Sequence, residues 1–170
     1  MLTSDDGTPA FSKVSGAYDC SAEPVGRDQD GQITSWEISI GSGIDQIITA
    51  EIDLGSIYYP ESGEEMFYED DVNFDGLSDL IIYRSTMGAQ GAQYCDCYVN
   101  AGDRFIRCEG FEEIPNPVPY KESHIVYGHI RDGAEQYYEM TYEISDFKAE
   151  LTGETLFVYD EEKEDYLPVE

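Results

Sequence analysis

Basic residues are scarce in this chain. Lys and Arg together number 9 against 37 Asp and Glu, and histidine occurs twice. The resulting net charge of −28 repels nucleic acid and anionic membrane surfaces, which removes both as partners. The same charge attracts cationic proteins and divalent ions, although solubility in saline surroundings would also account for it. Long apolar runs are absent: nothing approaches the roughly 20 residues a spanning helix needs, so no membrane insertion of the mature domain is expected. Met1 to Ala10 has neither the basic start nor the apolar stretch of a leader, and Met1 to Gly7 reads as a polar linker left after a signal or lipoprotein leader was trimmed. Catalytic signatures are missing too. No GxSxG, HExxH, P-loop or dinucleotide fingerprint occurs. His124 and His129 fall at opposite strand parity and make a poor metal pair. The carboxylates are so many that no glycosidase-like pair stands out. No enzymatic activity is expected.

Turn formers and aromatics are plentiful. The 170 residues include 14 tyrosines, 16 glycines and 7 prolines, which favours a single all-β domain over a helical one. We read residues 1–13 as a linker, 14–160 as the domain and 161–170 as an acidic tail. Strands are expected at Val14 to Cys20, Ile33 to Ile40 and Ile47 to Leu54. Within the second, Thr34, Trp36, Ile38 and Ile40 share a face, and Asp30-Gly31 turns the chain before it. Pro115, Pro117 and Pro119 at alternate positions suggest an extended crossing segment outside any central strand. Ile125 to Ile130 and Tyr137 to Ile144 form a hairpin around Asp132-Gly133. Lys148 to Thr152 and Thr155 to Tyr159 read as a last hairpin turning near Gly153.

The four cysteines, Cys20, Cys95, Cys97 and Cys108, lack zinc-site spacing and contain no CxxC. Folding the chain about Ala101-Gly102 sets Tyr98 opposite Phe105, Asp96 opposite Arg107 and Cys95 opposite Cys108, each favourable across a hairpin. A Cys95–Cys108 disulfide follows, leaving Cys20 and Cys97 for each other. The alternative is four reduced, partly buried thiols. Bridges would imply an oxidising compartment.

The richest stretch is Asp71-Val72-Asn73-Phe74-Asp75-Gly76-Leu77-Ser78-Asp79. Oxygen-bearing side chains alternate at Asp71, Asn73 and Asp75. Gly76 follows the third, and the carboxylate of Asp79 comes soon after. The spacing is that of the first nine positions of a calcium loop. Calcium takes six to eight oxygens at about 2.3–2.6 Å. Asp71, Asn73 and Asp75 supply side-chain oxygens, Leu77 its carbonyl, and Asp79 a direct or water-mediated ligand. The twelfth position is Ile82 where an EF-hand has Glu. Met66-Phe67-Tyr68 and Leu80 to Tyr83 read as strands, so the expectation is strand–loop–strand. The bland reading is an Asx-rich turn without metal.

Glu69 to Leu80, with the Gly88 to Gly91 connection, Tyr98 and Phe105, Asn116-Pro117, and then Ser123, Tyr142 and Lys148, resembles a family of bacterial periplasmic and surface calcium-binding proteins. Its members include inhibitors of a lysozyme-like effector of type IV secretion. The resemblance runs from about Tyr18 to Tyr159. It implies an incomplete or irregular β-propeller-like fold with calcium between strands. Only Asp71, Asn73, Asp75, Leu77 and Asp79 carry over as site residues, and no match to an inhibitory loop is found. It points to a secreted, periplasmic or lipid-anchored protein that binds a macromolecule, such as a cationic cell-wall lytic enzyme. The alternatives are a carbohydrate-binding module or glycosidase using tyrosine faces and a carboxylate pair, and a structural surface module with no discrete ligand.

Overall fold

A computed structural model describes residues 7, 9–15 and 18–169. Much of the expected linker, residues 1–6 and 8, lies outside these described residues. The chain lays down three antiparallel meanders in sequence order, the arrangement of propeller blades. The first contains β1 (Phe11–Ser15), β2 (Tyr18–Arg27), β3 (Ile33–Ile40) and β4 (Gln46–Glu51). The second contains β5 (Phe67–Asp70), β6 (Asp79–Met87), β7 (Ala92–Asn100) and β8 (Phe105–Arg107). The third runs β9 (Val118–Tyr120), β10 (Ile125–Arg131), β11 (Gln136–Ser145), β12 (Lys148–Asp160) and β13 (Asp165–Pro168). The only helical pieces among the described residues are single 3-10 turns at Gly63–Glu65 and Phe111–Glu113.

Two apolar layers hold the sheets together, and the second sheet contributes to both. Trp36, Ile38 and Ile40 of the first sheet pack with Leu80, Ile82 and Phe105 of the second. On its other side Ile81, Cys95, Cys97 and Val99 pack with Val126, Met140 and Tyr142 of the third. This explains the run Leu80-Ile81-Ile82: a strand covered on both faces has no solvent side and needs no polar alternation. Strand β3, covered on one face, alternates instead, with Trp36, Ile38 and Ile40 buried. Pro119 sits in β9, which pairs only with β10 and forms the sheet edge, where a missing N–H is tolerated.

Several expectations need correction. Val14 to Cys20 is not one strand, because Ser15 pairs with Tyr18 and the segment bridges β1 and β2. Ordered structure begins before residue 14, since β1 starts at Phe11. The acidic tail is also incorporated: Asp165–Pro168 pairs with the end of β12, Tyr166 opposite Tyr159. No turn occurs at Gly153. Strand β12 runs through it, and the register shifts there against β11. A Cβ on Gly153 would come within 2.8 Å of Thr141 Oγ1, so glycine serves here as a bulge and not as a hairpin.

The cysteine hairpin has a different register. Tyr98 pairs with Arg107 and Asn100 with Phe105, and the Cys108 N–H donates to the Cys97 carbonyl at 2.8 Å. The turn moves one residue along, to Gly102-Asp103, and is closed by Ala101 N–H donating to the Arg104 carbonyl at 2.8 Å. Cys108 therefore faces Cys97 and not Cys95. Cys20 lies in the layer between the first and second sheets while Cys97 lies in the layer beyond the second, so these two cannot pair. All four thiols are free and buried. Burial pushes Cys20, Cys95 and Cys108 up to about 12 and holds Cys97 well above the ordinary thiol value.

Candidate functional site

The pairing of Asp70 with Asp79 closes β5 and β6 around residues 71–78, giving the expected strand–loop–strand unit. Inside the loop the side-chain oxygens turn inward onto the loop's own N–H groups. Asp71 accepts from Asp75 N–H at 3.1 Å and Gly76 N–H at 3.0 Å. Asn73 Oδ1 accepts from the same Asp75 N–H at 3.2 Å, and its amide donates to Asp75 Oδ2 at 2.9 Å. Asp75 Oδ1 accepts from Leu77 N–H at 2.8 Å. Asp71, Asn73 and Asp75 are thus gathered around one turn of backbone. Gly76 has φ +90° and Phe74 φ +61°. The first suits glycine; the second is a strained choice for an aromatic residue. Its ring stacks on His124, with centroids 5.2 Å apart and planes within 19°. Leu77 projects its side chain outward, 43% exposed.

Asp79 stands apart from the other four. It is fully buried, and its two oxygens accept from Val72 N–H and Asn100 N–H, each at 2.8 Å. Desolvation pushes its carboxyl up to about 6; the two backbone donors oppose this, and Asp75 and Asp71 add to it. In this geometry Asp79 braces the loop against β7. Among the described residues no group of three or more His, Cys, Asp and Glu stands positioned to hold a metal. The loop's own donor set is two carboxylates and an amide, with Asp79 turned toward the main chain. Ile82, at the twelfth position, is buried in the first apolar layer and offers no ligand. An open cleft of about 340 Å³ lies beside the loop, lined by Asn73, Asp75, Asn100, Asp146 and Phe147 among others.

The loop is fastened to all three sheets. The Tyr18 hydroxyl of β2 donates to the Ser78 carbonyl at 3.0 Å, and the Asn100 amide of β7 donates to the same oxygen at 3.2 Å. His124 reaches Phe74 from the approach to β10. Sequence pattern gives no sign of these anchors, because Tyr18 and Ser78 are 60 residues apart. Strand parity does not relate the two histidines, because His124 precedes β10 with φ +54°; His124 stacks on Phe74, and His129, within β10, contacts Tyr137 at 5.3 Å between ring centroids.

No family model and no curated protein matches the chain. Among solved structures it is similar to a Xanthomonas type IV secretion system related protein, with a TM-score of 0.61 at 14% identity, covering 100% of this chain and 96% of that one. At that identity the likeness is one of fold. No helix among the described residues is long and apolar enough to cross a membrane.

Proposed function

We propose that this chain is a calcium-stabilised β-protein of the bacterial cell surface or periplasm that binds a cationic macromolecule and is not an enzyme. Its sharpest form is inhibition of a lysozyme-like cell-wall lytic enzyme. The observation carrying the reading is the gathering of Asp71, Asn73 and Asp75 on a loop that fastens three sheets together. The side-chain oxygens of these residues and the Leu77 carbonyl would hold the ion, with water from the adjoining cleft completing the shell and Asp79 bracing from behind. Calcium would supply positive charge where Asp71 and Asp75 converge, which offsets their mutual repulsion. The donor chemistry fits a hard cation, since every candidate atom is oxygen.

The partner reading draws on charge. A protein of net charge −28 accelerates encounter with a basic enzyme, and rim charges act mainly on association rate. The fold shared with a type IV secretion system related protein agrees with an envelope setting. The test is a panel of cationic lysozymes assayed for binding and for wall lysis at low and high salt. Salt-sensitive binding with slowed lysis is expected; binding to none of them removes the inhibitor reading.

A further inference from the structure

The third sheet has an outer face that its packing does not use. Strand alternation sends Val126, Met140 and Tyr142 into the apolar layer shared with the second sheet. It sends Tyr127, His129, Arg131, Tyr137, Glu139, Phe157, Tyr159 and Tyr166 to the other side, where cross-strand pairing aligns them: Arg131 with Tyr137, His129 with Glu139, Tyr137 with Phe157, Tyr159 with Tyr166. The rings form one continuous array. Tyr137 stacks on Phe157 at 4.8 Å and 6°, meets Tyr166 at 5.1 Å and 60°, and Tyr166 meets Tyr159 at 5.2 Å and 64°. Tyr120 and Tyr127 form a second pair across β9 and β10 on the same face, with centroids 5.9 Å apart. None of these rings is fully buried, and Tyr120 and Tyr159 are 51% and 39% exposed.

Two further features bear on the charge of a partner. Desolvation raises the Tyr127 and Tyr137 phenols, and Glu139, which lies within the array, raises both further, while Arg131 opposes this at Tyr137. The array already holds one guanidinium: Arg131 lies 5.7 Å from the centroid of Tyr166. Aromatic faces with a carboxylate among them suit arginine and lysine, through cation–π contact and charge together. A second copy of this chain would bring another −28 charges to the same surface and be repelled. A neutral glycan would stack on the rings but gains nothing from the chain's net charge of −28.

We propose that this aromatic face of the third sheet is the docking surface for a cationic protein, receiving its arginine and lysine side chains against the exposed surfaces of the tyrosine rings. The proposal rests on the reading above that the partner is cationic. The full chain is titrated with a short arginine-rich peptide, and separately with a cationic lysozyme, while aromatic side-chain NMR signals are followed. Shifts should concentrate at Tyr137, Phe157, Tyr159 and Tyr166. Tyr159→Ser, an exposed position, and Glu139→Gln should each weaken peptide binding, together by about tenfold, one cation–π contact being comparable to that factor when desolvated. No peptide binding, shifts spread evenly over the acidic surface, or affinity unchanged in both variants overturns the assignment. So does saturable binding of a neutral chitin oligosaccharide, or dimerisation, at these rings in place of the peptide. Peptide docking on the rings without binding to any lysozyme supports this surface and removes the lytic-enzyme reading. Lysozyme binding unaffected by either substitution does the reverse.

Discussion

Replacing Asp79 with alanine separates the brace from the rest of the loop. The substitution leaves Val72 N–H and Asn100 N–H buried without their acceptors. Each orphaned donor costs about 1–3 kcal/mol, so the loss is roughly 2–6 kcal/mol. It also removes a buried carboxylate whose pKa stands at about 6 against 3.8 for an unperturbed aspartate. That difference of roughly two pH units corresponds to about 3 kcal/mol of charge-burial cost at pH 7, which the variant escapes. The folded carboxyl holds its proton up to about pH 6 while the unfolded chain releases it near 3.8, so the folded state binds more protons in between. This contribution to stability is full below the lower value and is lost as pH rises through the upper one. In calcium-free buffer the variant should therefore be only about 1 kcal/mol less stable than the parent at pH 7, and about 4 kcal/mol less stable near pH 4. Urea unfolding followed by the fluorescence of Trp36, which is buried in the first apolar layer, measures both. Equal stability at pH 7 with parallel pH profiles would refute the bracing role.

The thiols give a second prediction. With Cys20, Cys95 and Cys108 held at about 12 by burial, the native protein should react slowly with a thiol reagent at pH 8. All four should react after denaturation without reductant; a count of two or none would reinstate the bridges. Because unfolded thiols ionise near 9, their contribution to stability is complete below that pH and is lost as pH rises through about 12, so urea midpoints should fall in that alkaline window. Gly153→Ala should cost about 1 kcal/mol through contact with Thr141, the scale of a modest steric clash. Thr141→Ala in the same chain should recover most of that loss, and additive losses in a double-mutant cycle would place the strain elsewhere.

Much of the β architecture is legible in local pattern. Strand β3 spans Ile33–Ile40 as its alternation dictates, and Asp132-Gly133 joins β10 to β11. The strand–loop–strand unit likewise follows from turn chemistry between two apolar runs. The cysteine hairpin departs from its expected register for a physical reason. A two-residue slip preserves strand parity, so both registers bury the same cysteines and valine, and the hydrophobic pattern cannot choose between them. Even the Asp96–Arg107 ion pair, 2.8 Å, survives the slip as a diagonal contact. Gly153 is ambiguous in sequence because glycine serves turns and bulges equally; the neighbouring strand's Thr141 decides. Strand β13 resembles a tail because its acidic surroundings hide Tyr166, whose partner Tyr159 lies across the hairpin. For the site, spacing alone brings Asp71, Asn73 and Asp75 together. The bracing role of Asp79 and the anchors Tyr18, Asn100 and His124 depend on tertiary contacts that spacing does not encode.

Whether the loop takes calcium is answered most directly by calorimetric titration of chelator-treated protein. One calcium per chain is expected, with a melting temperature that climbs with calcium above the dissociation constant, as ligand linkage requires. Asp75→Ala should abolish both effects while leaving the calcium-free protein folded. No heat of binding, and identical melting of parent and variant with and without calcium, would contradict the account.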